Sequence, residues 1–244
     1  MFRSTLIAAA AIVLAAYSSS PSLAADQGGA TVFPYVETPI AKATTSLSLT
    51  LAQNWRAGEF AIADVLSYGG GQTTITAPDG WELIRDDSTP TTRQSIYWHV
   101  IESSDTSTAT WEFSEPVDAQ GATMLLDNVA SNDPIDATSA SSGGVGGGIL
   151  TAPSVETSSA GDLILDFNAT DFGAYRPTVC TNCAGLNPQL PQDASVVLNQ
   201  ETTAQEYWIL AKDQNQVGET EDLVSEAPQL FYWIAAQVAI RQAP

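Results

Sequence analysis

The sequence predicts an all-β protein, an antiparallel β-sandwich of jelly-roll type. Apolar and polar residues alternate over many short stretches rich in β-branched and aromatic side chains. Clusters of Gly, Pro, Asn, Asp and Ser separate these stretches roughly every 8–15 residues, the spacing of strands in a sandwich. No window carries a sustained helical period with a cap at its start, so no helical core is expected.

The first element is a leader rather than a strand. Arg3 is the only early charge, Leu6–Ala16 is uninterrupted by polar residues, and Ser22-Leu23-Ala24 ends the segment in small-x-small form. These are the three parts of a secretory signal peptide, so residues 1–24 are expected to be removed, with cleavage after Ala24 or Ala25. The apolar run is too short to span a bilayer, and no longer one follows, so no membrane span is expected in the mature protein. Secretion or display at the cell surface is the expected destination, with the periplasm as the alternative.

The strands follow in order. Leu47, Leu49 and Leu51 alternate with polar neighbours, and Glu59–Tyr68 (EFAIADVLSY) and Ile96–Ile101 (IYWHVI) come next. Trp111 and Phe113 alternate within TATWEF, and Met124–Val129 closes the first half. The second half offers Leu163–Phe167, Ser195–Leu198, Tyr207–Leu210 and Leu230–Ile240. Ala235 and Ala236 would suit a helix, but the aromatic and β-branched residues around them favour a long final strand.

The two halves resemble each other, which predicts an internal two-fold pseudo-repeat. Ala57-Gly58-Glu59 before FAIADV matches Ala160-Gly161-Asp162 before LILDF, and Tyr97-Trp98 matches Tyr207-Trp208. The expected organisation is one sandwich over residues 25–244, with halves at about 45–136 and 149–244. Residues 137–148 (ATSASSGGVGGG) are then a flexible Gly/Ser connector between them.

Charge limits the partners. The formal net charge is −20, and loss of the leader removes Arg3 and no acid, leaving the mature chain one unit more negative. Lys42 and Lys212 are the only lysines. Such a chain lacks the clustered cations that nucleic acid requires, and it repels anionic lipid.

Ala77–Arg85 (APDGWELIR), then IYWHV, TWEFS, DNVASNDPIDATSAS and LTAPSVETSSAGDLIL follow one another in a recognisable order. This series resembles the β-sandwich repeat of bacterial secreted and cell-surface proteins, often found beside PKD-like or fibronectin-like domains. The likeness covers about Leu47 to Asp166 well and the rest in outline. Asp127-Asn128-Val129 departs from the usual Gly-containing turn, and the Cys-Thr-Asn-Cys loop is an addition. The resemblance implies an extracellular sandwich and carries no chemistry with it.

Cys180 and Cys183, the only cysteines, are expected to form one local disulfide in an exported chain. A zinc site would need further ligands, and His99 is the only histidine. His99 stands mid-strand without a nucleophile elbow and reads as structural. Glu59 and Asp162, each after a glycine, read as turn residues at strand starts. Asp127, Asn128, Asn132, Asp133 and Asp136 crowd one turn and form a candidate calcium site, since calcium takes oxygen ligands from such loops. No other cofactor is implied.

The chain has six tryptophans. Neighbours on a strand face opposite ways, so each Tyr-Trp pair sends one ring to each face. Trp55 and Trp81 lie near turns and are the candidate ligand-contact aromatics. The function expected is an exported, non-catalytic module for adhesion, glycan binding or surface structure, with a glycan or cell-surface partner. Two alternatives stand beside it: a secreted carbohydrate-active enzyme using a carboxylate pair, and a structural subunit that assembles with its own copies by strand exchange.

Overall fold

The computed structural model describes residues 31–32, 36–52, 54–144, 149–171, 187–188, 194–201, 205–226 and 232–244. The leader and the Cys180–Cys183 loop lie outside the described residues. Among those residues every regular element is a strand, and every pairing is antiparallel.

The first half contains β1 (Thr31–Val32), β2 (Val36–Thr50), β3 (Phe60–Tyr68), β4 (Ile75–Thr76), β5 (Glu82–Ser88), β6 (Thr92–Val100) and β7 (Thr108–Asp127). The second begins with β8 (Ile135–Gly143), β9 (Ile149–Ala152), β10 (Glu156–Thr157) and β11 (Asp162–Asp171). It continues through β12 (Asn187–Pro188), β13 (Ser195–Glu201), β14 (Gln205–Gln214), β15 (Gly218–Glu219), β16 (Leu223–Glu226) and β17 (Tyr232–Ile240).

The main sheet of the first half runs β5-β6-β3-β7, with β1 and β2 pairing β7. That of the second runs β13-β14-β11-β17-β8. In the first half β4 and the end of β2 flank the start of β7, and in the second β12 and β9 flank β16.

One hydrophobic cluster fills the space between the two main sheets and draws on both halves. Phe60, Ile62, Leu66, Ile96, Met124 and Leu126 meet Leu163, Leu165, Phe167, Ile209, Val238 and Ile240. A second cluster (Leu47, Leu49, Ala63, Val65, Tyr97, Trp111, Phe113) lies on the outer face of β3 and β6, and a third (Leu150, Ala152, Trp208, Leu210, Leu223, Ala235) on that of β14 and β17. Both main sheets are therefore covered twice. This is why β3 and β11 are buried at every position instead of alternating with solvent.

The register does not bear out the Tyr-Trp part of the expected two-fold repeat. Trp98 stands opposite Ile62 and faces the inter-sheet core, where it stacks on Phe60 with ring centroids 5.3 Å apart. In the second half Tyr207 stands opposite Ala169 and takes the inward place, and Trp208 points outward under β9 and β16. The two Tyr-Trp pairs thus face opposite ways and are not equivalent positions.

The predicted connector is also corrected. Residues 135–143 form β8, an edge strand paired along β17 from Ile135–Ile240 to Gly143–Trp233. Backbone ladders need no particular side chain, and the small residues here serve close packing. The Ser139 and Ser141 hydroxyls donate to the Pro153 and Thr151 carbonyls, and a Cβ on Gly143 would lie 2.4 Å from the Trp233 ring.

Candidate functional site

Among the described residues, aromatic, carboxylate and hydroxyl side chains line a cleft of about 280 Å³ beside the first main sheet. Leu51, Pro78, Asp79, Trp81, His99 and the loop around Asp105 form its walls, and the Ser104, Thr106 and Thr108 hydroxyls are among its lining. One wall is the turn that enters β5. Trp81 N–H donates to the Pro78 carbonyl at 3.3 Å, and Gly80 holds φ +84°, a conformation that glycine adopts without strain. A Cβ on Gly80 would also press to 3.1 Å on the His99 ring, so this turn depends on glycine twice.

The opposite wall is the loop from Ile101 to Ser107. Asp105 organises it by accepting the Glu102 N–H at 2.7 Å, the bond by which Asp residues stabilise tight turns. The same Asp105 oxygen lies 2.7 Å from His99 Nε2, and His99 Nδ1 lies 2.8 Å from the Gly80 carbonyl. Desolvation pushes the Asp105 carboxyl up, but the Glu102 N–H and His99 outweigh it and hold the group below its ordinary value. His99 therefore ties the two walls together, and neither ring nitrogen is free to take a proton from Ser104, Thr106 or Thr108.

Trp81 is half-buried in this cleft. Its ring stacks on His99 at 5.3 Å and 29° and meets Trp111 edge-on at 5.1 Å and 66°. Trp55, the other aromatic named from sequence, is half-buried against Leu51, Ala52, Ala61, Ile101 and Leu125, a cluster that Trp81 also borders. The two rings share an apolar support, and Trp81 alone lines the cleft.

The five turn residues considered for calcium do not gather into one ligand set among the described residues. Asp136 accepts the Ser158 N–H and hydroxyl and pairs with Arg241, whose Nη1 donates to the Asp133 carbonyl at 2.8 Å. Desolvation is outweighed there, and Ser158, Asp162 and Arg241 bring the Asp136 carboxyl to about 2. Asp127 accepts the Asn128 N–H, and Asn132 is exposed. Among the described residues no three metal-ligating side chains come together.

Three buried carboxyls escaped the sequence reading. Asp64, on the inner face of β3, accepts Gln94 Nε2 at 2.8 Å, and burial pushes it up to about 7. Asp166, on the outer face of β11, accepts Asn168 Nδ2 at 2.7 Å and is pushed up to about 7 by burial. Asp162, expected as a turn residue, is fully buried; burial first, and then the neighbouring Asp136, raise it to about 7. For Asp64 and Asp166 the signal is a carboxylate inside an apolar run, FAIADVL and LILDF; Asp162, directly after Gly161, has no such signal.

Compared with protein-family models, with curated proteins and with solved structures, the chain finds no match, so the likeness to surface sandwich repeats rests on its motif residues alone.

Proposed function

We propose that the protein is an exported, non-catalytic binding module that holds glycans in the Trp81 cleft. The observation that carries this reading is the joint placement of a half-buried indole, the Asp79 and Asp105 carboxylates and three hydroxyl side chains in one cleft. Sugars present both an apolar ring face and many hydroxyls, so they are recognised by an aromatic platform with a few convergent polar groups. Acceptors dominate this lining, which suits a ligand that donates hydrogen bonds. A charged phosphate ligand would meet two carboxylates instead.

The engagement of both His99 nitrogens supports binding over catalysis, because a general base must reach the proton it removes. The motif likeness to surface sandwich repeats and the leader-like amino terminus support an extracellular setting.

A panel of plant, marine and bacterial polysaccharides tests the reading. Saturable binding without release of reducing ends is expected, weakened about fivefold or more in Trp81→Ala, since one stacking aromatic contributes on the order of 1–3 kcal/mol. Trp55→Ala is expected to lower stability more than affinity. Product release abolished by Asp79→Asn or Asp105→Asn would favour a carbohydrate-active enzyme instead.

A further inference from the structure

Two carboxylates line the Trp81 cleft, one from each wall, and the fold leaves acceptor capacity on both. Asp79, on the turn before β5, is exposed and makes no hydrogen bond or ion pair among the described residues. Asp105, on the opposite loop, directs a single oxygen, Oδ2, at both His99 Nε2 and the Glu102 N–H. Its Oδ1 keeps no protein partner among the described residues, and the side chain is 27 % exposed.

No Lys or Arg lines the cleft. Lys42, Arg85, Arg93, Lys212 and Arg241 each pair with an acid elsewhere in the fold. An ammonium group suits this arrangement. It is a compact charge with three donors, so it can reach acceptors on two walls at once. Its bonds to carboxylates are charge-assisted, roughly twice as strong as neutral ones. The Trp81 indole adds a ring face that attracts cations. A bare amine would leave the rest of the lining unused. The Ser104, Thr106 and Thr108 hydroxyls beside an aromatic platform match a sugar ring, with its own hydroxyls and its apolar face.

We infer that the glycan held in the Trp81 cleft is built of amino sugars, with an unacetylated ammonium group between Asp79 and Asp105. The inference rests on the glycan reading of this cleft and narrows it to one chemical class. Acetylation of the amine removes the charge and leaves one donor in place of three, so an N-acetylated glycan is the weaker ligand. Because Asp79 is exposed, the preference for the amine falls as salt is raised.

Calorimetry of the whole protein at about pH 6, below the range in which aliphatic amines lose their proton, tests this. The probes are a glucosamine oligomer, its fully N-acetylated counterpart, a glucose oligomer of the same linkage and length, and an oligolysine of matching charge. The glucosamine oligomer is expected to bind at least about fivefold more tightly than the other three. Asp79→Asn is expected to lower that preference about three- to fivefold, the upper end for an exposed charge pair, without weakening the neutral oligomers. Glu156→Gln removes the same charge from an exposed position on β10 and is expected to leave the preference intact. Trp81→Ala is expected to weaken every sugar oligomer.

Equal binding of the acetylated or glucose oligomer would overturn the inference and leave the glycan reading standing. Oligolysine bound as tightly as the glucosamine oligomer, or a loss in Glu156→Gln as large as in Asp79→Asn, would also overturn it, because bulk negative charge would then account for the affinity. Absence of binding to all of the sugar oligomers, together with a polysaccharide panel that gives no ligand, would remove the glycan reading and this inference with it.

Discussion

Gln94 Nε2 donates to Asp64 Oδ2 at 2.8 Å between the two main sheets, where both side chains are sealed from water. This bond marks a change in the core along its strands. At one end Phe60, Trp98, Leu126, Leu163 and Ile240 are packed together, and all are apolar. At the other, Asp64, Gln94, Gln120, Tyr68 and Tyr207 are buried, with Gln120 Nε2 donating to the Tyr68 hydroxyl at 2.7 Å.

The buried carboxyls set a pH dependence of stability. Asp64, Asp162 and Asp166 are raised to about 7 in the folded protein, against 3.8 for the free group. The folded state keeps their protons where the unfolded chain has lost them, so their contribution is fully present below about pH 4 and lost as pH rises to about 7. Asp136, lowered to about 2, acts oppositely: its contribution is present above about pH 4 and lost as pH falls towards 2. Stability is therefore expected to peak near pH 4–5. Thermal melts across pH 3–9 check this, and Asp64→Asn should flatten the alkaline limb by up to about 1.4 kcal/mol per pH unit, the linkage of one proton. A maximum at pH 8 would remove the account.

Arg241 is expected to be worth more than its place next to the carboxyl terminus suggests. Its guanidinium pairs with Asp136, whose side chain is 1 % exposed, and also reaches the Asp133 carbonyl and the Ser158 hydroxyl. Arg241→Met leaves Asp136 buried without its cation, beside Asp162. Removing one partner of such a pair costs about 3–5 kcal/mol. Urea denaturation at pH 7 should show a loss of this size, with partial recovery in the double variant Arg241→Met/Asp136→Asn. A loss under 1 kcal/mol would mean that Ser158 suffices.

Much of the fold was legible in the sequence because strand faces leave a period in it. The stretch Glu59–Tyr68 exceeds β3 by one residue, and Ala235 and Ala236, open to a helical reading, lie in β17, where both are fully buried in the packed sheet. What the sequence hid has a common cause. Strand β8 is small and polar, and its place depends on the backbone of β17 and the ring of Trp233, which composition does not express. Trp81 was legible because it stood at a Pro-Asp-Gly turn. Its partners were not: His99 and Asp105 lie six residues apart across a loop whose closure brings them within 2.7 Å.

The Gly143–Trp233 contact predicts that a single methyl group disturbs the β8 edge. A Cβ at Gly143 would stand 2.4 Å from the indole, so the ring must move or the strand must part. Gly143→Ala is expected to cost about 1–3 kcal/mol, as overpacked sites do. Ser142→Ala, at an exposed neighbour, should change stability by less than about 0.5 kcal/mol. Melts of both variants, with tryptophan emission shifting only in the first, separate packing from a general effect on the strand.

The shared core makes the halves interdependent, and this is the prediction with the widest reach. Without residues 149–244, the inward faces of β3, β6 and β7 would expose Phe60, Ile62, Ile96, Met124 and Leu126 together. A contiguous apolar face of that kind is not tolerated by a soluble monomer. Without residues 45–136, β11 and β17 would expose Leu163, Leu165, Phe167, Val238 and Ile240 in the same way. The outer layers do not compensate, because they cover the opposite faces of these strands. Each fragment expressed alone is therefore expected to aggregate or to bind a hydrophobic dye, with no cooperative melt. Mixing the two during refolding is expected to restore one. Leu165→Ala in the intact chain supplies the matching single-site figure, a loss of about 2–5 kcal/mol for a fully buried leucine. Two fragments that each melt cooperatively, at temperatures insensitive to mixing, would mean that the halves stand alone and that the apolar cluster between them contributes little.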